Sequence, residues 1–233
     1  MPLLPPNRLH DWDLAPRDAI ALQTRLAPRV EREDRMSPVR CIAGVDIGFE
    51  DDGATTRAAV VVLEWREEGP PFEVVEQVVY REPTRMPYIP GLLSFRETPA
   101  ALGAFARLSS VPELVMVDGQ GIAHPRRLGV ASLLGLWLDV PAIGVAKSRL
   151  CGRHAEVGEP RGDAVPLNDQ GEVIGTVLRS RTRVKPIYVS PGHRVGQATA
   201  LAWVERCLHR TKLPEPTRLA DRLASRRDAP GRR

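Results

Sequence analysis

The chain has 233 residues, 42% hydrophobic and 27% charged, with a formal net charge of +4. That balance fits a single globular domain with a substantial core, excludes a disordered chain, and is compatible with a polyanionic partner without identifying one. No apolar run approaches the ~20 residues of a membrane-spanning helix, the first residues lack the charged-then-apolar order of a signal peptide, and Cys41, Cys151 and Cys207 form no Cys-x-x-Cys pair, so a cytoplasmic protein is expected, with no membrane association.

Residues 1–15 read as an irregular lead-in, after which Pro16 opens an amphipathic helix carrying Ala19, Ile20, Leu22, Leu26 and Val30. Three strands are predicted at 41–46, 58–65 and 73–80, with connections short enough for an antiparallel meander. Pro83, Pro87, Pro90 and Gly91 make 81–97 a constrained loop, and Thr98-Pro99 predicts a helix start running to about Leu108. A buried strand at 114–118 follows, then a helix opened by His124-Pro125, then a strand at 141–146 parallel to the preceding one. Beyond a Gly- and charge-rich segment at 152–171, a peripheral hairpin is expected from 173–178 and 186–190, then helices at 196–209 and 218–225. Residues 226–233 read as a disordered basic tail. Neither a repeat nor a clean linker divides residues 1–233. The expected architecture is one α/β domain with a ribonuclease-H-like mixed sheet, three antiparallel strands followed by parallel strands, flanked by helices.

Two apolar runs end in aspartates, Asp46 and Asp118, each followed by a glycine-containing loop. Either aspartate alone is equally an ordinary turn former. In the expected sheet, however, the first strand lies beside the fourth, so the two carboxylates meet and call for a cation between them. Glu97, placed just before the Thr98-Pro99 helix start, offers a third acid, and Asp221 near the C-terminus a further one. Lys147 directly follows the 141–146 strand and reaches the same sheet edge. Carboxylates with Mg²⁺ and a nearby lysine suit phosphodiester hydrolysis. A P-loop reading fails for lack of a Walker glycine loop, and a Ser-His-Asp hydrolase is unsupported, since no Gly-x-Ser-x-Gly elbow exists. His124 stands near this site, suited either to contacting phosphate or metal-bound water or to a structural place at a helix start.

Pro87, Tyr88, Ile89 and Pro90 put bulky groups on a stiff tip, the build of a wedge that enters a base stack when a nucleotide is extruded. A tyrosine folded back onto a surface loop is the plainer reading of the same residues. Gly119-Gln120-Gly121 lets backbone approach a ligand closely, and Arg126, Arg127, Arg149 and Arg194 are candidate phosphate contacts.

At these residues the chain resembles endonuclease V, the deoxyinosine-specific repair nuclease family. The resemblance runs over about residues 10–225 and is carried by Ala43-Gly44-Val45-Asp46, the run from Met86 to Glu97, the run from Val117 to Gly129, Ile143 to Leu150, Ser190-Pro191-Gly192-His193 and Pro214 to Arg218. It implies Mg²⁺-dependent hydrolysis (with Mn²⁺ as a substitute) of the second phosphodiester bond 3′ to deoxyinosine, by a monomer acting on DNA that contains deoxyinosine, other base lesions or mismatches. By the same resemblance Asp46, Asp118 and Glu97 form the metal-binding acids. His124 and Lys147 assist at the scissile phosphate, and Tyr88 belongs to the wedge. Gly91, Leu93, Gly119, Gly121 and Leu150 line the base pocket. Family members differ at the position of Asp221. An inosine-directed ribonuclease, a structure-selective nuclease of the same fold and a non-catalytic nucleic-acid-binding relative are the alternatives.

Overall fold

The computed structural model describes residues 8–109 and 112–225; the expected disordered tail and the first part of the lead-in lie outside them. From residue 8 the lead-in is irregular, as expected, yet it packs: the Trp12 and Trp137 rings stack with centroids 5.2 Å apart. Helix α1 (Pro16–Leu26) takes Pro at its first turn, where a missing N–H costs nothing, and buries Ala19, Leu22, Gln23 and Leu26.

The strands β1 (Cys41–Glu50), β2 (Thr55–Glu64) and β3 (Val74–Pro83) form the antiparallel meander. Helix α2 (Leu93–Phe105), β4 (Leu114–Val117), α3 (Val130–Leu138) and β5 (Ala142–Ala146) follow, with β4 parallel to both β1 and β5. The chain continues through β6 (Ala164–Asp169), β7 (Glu172–Leu178), β8 (Ile187–His193), α4 (Gln197–Arg206) and α5 (Glu215–Ser225). All eight strands join one sheet in the order β3-β2-β1-β4-β5-β8-β7-β6. Its first five strands have the ribonuclease-H-like arrangement expected from the sequence.

Both faces of the central strands are buried, which is why they read as unbroken apolar runs. Val115 and Val117 face a core shared with Leu22, Phe95, Phe105 and Leu133, while Leu114 and Met116 face the one shared with Val204 and Ala220. Alternation along β1 gives Ile42 to the second core, and Gly44 and Asp46 fall on that same face.

Several expected boundaries move. Strand β1 does not stop at Asp46 but continues to Glu50, because β2 opposes it throughout (Asp46↔Ala59, Glu50↔Thr55) and the turn comes later, at Asp51–Gly53. Helix α2 starts at Leu93, so Thr98 is no N-cap and Pro99 lies inside the helix. His124 opens no helix: it lies in a turn, and α3 begins at Val130 after an extended Gly129. The charged 152–171 segment contains β6, and β8 pairs with β5, so the expected peripheral hairpin belongs to the main sheet. The last helix begins at Glu215, ahead of residue 218.

Candidate active site

Asp46 lies where β1 loses its parallel neighbour while its hairpin with β2 goes on. The Asp118 amide donates to the Val45 carbonyl at 2.9 Å, prolonging the β1–β4 ladder by one step and bringing the two aspartates to one end of adjacent strands. A third acid arrives from α5. A Cβ on Gly44 would fall 1.9 Å from the Pro216 carbonyl oxygen, so the start of α5 rests directly on the glycine backbone. This close approach carries Asp221 to the sheet edge, where carboxylate oxygens of Asp46, Asp118 and Asp221 lie within 4.8 Å of one another.

Lys147, the residue after β5, sets its Nζ 2.5 Å from Asp118 Oδ2 and also contacts Asp221. One ammonium does not balance so many acids. Burial, reinforced by the charge of Asp118, pushes Asp46 up to about 7. Burial also drives Glu97, on α2, up to about 8, with Asp46 and Asp118 adding to the effect. Asp118 is raised by burial against the pull of Lys147. Burial opposes the charge on Lys147, but its bonds to Asp118 and Asp221 outweigh that and raise its pKa. Glu97 is thus coupled to the cluster through charge, while the three aspartates supply the converging oxygens. An all-carboxylate donor set that resists ionisation until a cation arrives suits a hard divalent metal.

Beside this cluster lies a cavity of about 330 Å³, within the range of small-ligand sites. Asp118 and Lys147 line it and belong to the cluster as well; Glu97, His124, Tyr88, Pro90, Gly91, Leu93, Gly119, Gln120, Arg149 and Leu150 complete most of its wall. Gly121 does not line it: the glycine packs behind, its amide donating to Ser190 Oγ at 2.9 Å. The Pro87–Pro90 tip stands out from the surface on a buried Met86, with Tyr88 65% exposed and Ile89 half-buried.

The loop holding that tip is pinned at Gly91, whose φ of +79° favours glycine. Its carbonyl accepts from Gln23 Nε2 at 3.0 Å, His124 Nε2 at 3.0 Å and Arg126 Nη2 at 2.7 Å. His124 Nδ1 in turn accepts the Arg126 amide at 3.1 Å, and burial lowers the imidazole to about 4, so the ring is neutral with both nitrogens engaged. The expected phosphate arginines mostly turn inward. Arg126 bonds Gln23 and Gly91, Arg127 pairs with Asp169 and Glu172, and Arg194 pairs with Asp139. Arg149 is exposed at the cavity.

The family model of endonuclease V matches residues 24–222. The chain belongs to the endonuclease V family. An endonuclease V from Azotobacter vinelandii is 56% identical over 96% of this chain and all of its own length, and one from Nostoc punctiforme 50% identical over 94% and 97%. The crystal structure of the Streptomyces avermitilis endonuclease V superimposes with a TM-score of 0.84 at 38% identity, covering 91% of this chain and 92% of the other. That of the Ciona intestinalis endonuclease V, in complex with a 23mer DNA containing an inosine followed by a ribo-adenosine, superimposes with a TM-score of 0.75 at 25% identity, covering 89% and 94%. The protein is therefore an endonuclease V enzyme whose acidic cluster suits a divalent metal.

Sequence reasoning missed two glutamines of this endonuclease V site. Gln23 is fully buried on α1 and joins Gly91, Ser94, Leu128 and Arg126 in one network. A glutamine among the apolar positions of an amphipathic helix is the signal that could have found it. Gln120 donates to the Ser148 carbonyl at 2.9 Å while its Oε1 is buried without a partner among the described residues, although the sequence reading treats it only as a spacer between glycines.

Proposed function

We propose that this endonuclease recognises deoxyinosine in DNA and hydrolyses the second phosphodiester bond on its 3′ side, leaving 3′-hydroxyl and 5′-phosphate ends. The observation that carries the reading is the shared wall: Asp118 and Lys147 belong both to the acid cluster and to the neighbouring cavity. A base held in that cavity keeps its own strand beside the acids, so recognition fixes the position of the cut. Tyr88 and the prolines around it fill the space the extruded base leaves, and Gly91, Leu93, Gly119 and Leu150 surround that base. Gly121 supports the Gly119–Gln120 backbone from behind.

Asp46, Asp118 and Asp221 would hold the metal, Mg²⁺ in this reading, with Glu97 behind them keeping its proton until the cation's charge favours releasing it. When bound, the metal activates water and shields the charge that develops on the phosphate. Lys147 keeps Asp118 and Asp221 together and offers its ammonium to a phosphate oxygen. Neutral His124 holds the wedge loop through Gly91 in this scheme, a positioning role. The chain acts as a monomer.

Matched duplexes carrying deoxyinosine, inosine in a ribonucleotide, or neither, incubated with and without Mg²⁺, test the proposal. Preferential cutting of the deoxyinosine strand only with metal is expected, and equal cutting of all three would overturn it. An inosine-directed ribonuclease is the second reading, favoured by the ribo-adenosine that follows inosine in the DNA bound to the Ciona intestinalis relative; faster cutting of the ribonucleotide substrate would select it.

A further inference from the structure

A second cavity, of about 380 Å³, adjoins the first, and residues Lys147, Ser148 and Arg149 form the partition between them. Its wall carries an excess of positive charge. Arg179 donates to the carbonyls of Gly158, Val184 and Val157 and has no carboxylate partner among the described residues. Lys185 is exposed at the rim and likewise forms no ion pair among the described residues, and Glu156 is the one acid lining the cavity. Next to it, Lys212 reaches to 3.5 Å from the Lys147 carbonyl. Lys147 answers to Asp118 and Asp221, and Lys212 also feels the charge of Asp118, which leaves Lys185 and Arg179 as cations that form no ion pair among the described residues. Lysines from separate loops converging in this way mark a place built for an anion.

The same cavity has an aromatic side. Tyr188 lies opposite Ala146 in the β5–β8 ladder, one residue from Lys147, and its ring meets that of His154 edge to face at 5.9 Å. Cations beside an aromatic edge, in a space of small-ligand size, match one nucleotide unit: phosphate on the lysines, base against the rings.

We infer that this cavity binds the nucleotide on the 3′ side of the cut, with the phosphate that follows it on Lys185 and Lys212 and its base on Tyr188 and His154. The inference rests on the proposed function, which puts the lesion base in the first cavity and the cut at the acid cluster. A strand that runs from one to the other and continues past Lys147 enters the second cavity. The cavity thereby grips what becomes the 5′-phosphorylated end of the product, and holds the scissile bond from its far side.

The test couples a variant to a change in the substrate. Lys185→Gln, on an exposed loop, is compared with wild type on deoxyinosine strands whose linkage after the scissile one is either a phosphate or a neutral methylphosphonate. Either change alone should lower kcat/KM about tenfold, as for one charge-assisted hydrogen bond, and the two together should lower it little further. The variant should flatten the salt dependence by about one unit of slope, and Lys185→Arg should restore activity. Wild-type cutting by Lys185→Gln, or full multiplication of the two effects, overturns the inference. Failure of the wild type to prefer deoxyinosine over adenine strikes the functional reading instead, because the coupling can be read on any strand the enzyme cuts.

Discussion

Around Gly91 the polar groups are matched, with three donors on one carbonyl and a neutral histidine engaged at both nitrogens, whereas around Asp46 four acids crowd together and Lys147 pairs with only two of them. The first region is finished when the chain folds; the second keeps an unrelieved repulsion that suits a divalent cation. A rigid wall suits the reading of a base, since displacing a satisfied network costs energy for every group left unpaired. A wall of crowded carboxylates suits the proposed catalysis, since a divalent metal bound there would relieve its repulsion.

Removing one of the crowded acids is the strongest way to break this comparison. Asp46→Asn should reduce cleavage by about a thousandfold or more, given the several kcal/mol a bound metal contributes, while thermal melting in the absence of metal at alkaline pH should rise because one like charge is gone. A lower melting temperature would show that the cluster is not strained.

A pH series sharpens the same point. Asp46 at about 7 and Glu97 at about 8 lie above the ordinary carboxylate range, so the folded protein keeps protons that the unfolded chain has released. Metal-free stability should therefore fall as pH rises from the carboxylate range through about 8, and added Mg²⁺ should recover it most at the alkaline end. Melting curves at pH 6 and pH 8.5 with and without Mg²⁺ check this; a metal-free curve that is flat with pH would contradict it.

On the matched side the expected effects are smaller and of another kind. Gln23→Leu should cost about 1–3 kcal/mol in denaturant unfolding and raise KM for a deoxyinosine strand more than it lowers kcat, because it loosens the Gly91 anchor without touching an acid. Equal losses in both parameters would remove Gln23 from the positioning role. Tyr88→Ala, at a 65% exposed position, should leave stability within about 0.5 kcal/mol and weaken only the preference for the lesion strand in competition assays.

Legibility in the sequence follows the same division. Asp118 is readable because a short buried strand with no alternating polar positions ends at it, and Lys147 for the same reason at β5. Asp46 is recognised as an acid of the site but misplaced within its strand, since local turn chemistry at Asp46–Gly48 yields to the pairing that β2 provides. Glu97 is placed before a helix instead of within one because Thr98-Pro99 imitates a helix start inside α2. Strand β6 hides in charged sequence because it is an edge strand with few buried side chains. The inward turn of Arg126 and Arg127 could not be read at all, as their partners Gln23, Gly91, Asp169 and Glu172 come from distant segments.

The bare backbone of Gly44 beneath Pro216 has an effect on timing. As the chain is synthesised, Asp46, Glu97 and Asp118 are all present long before Asp221, which joins them only after α5 has formed and settled on the glycine. The acid cluster is completed by the last described element to emerge, so until that helix has settled the sheet edge lacks one of its three converging carboxylates. A single added methyl at residue 44 would collide with the Pro216 backbone and push α5, and with it Asp221, away from the other two acids.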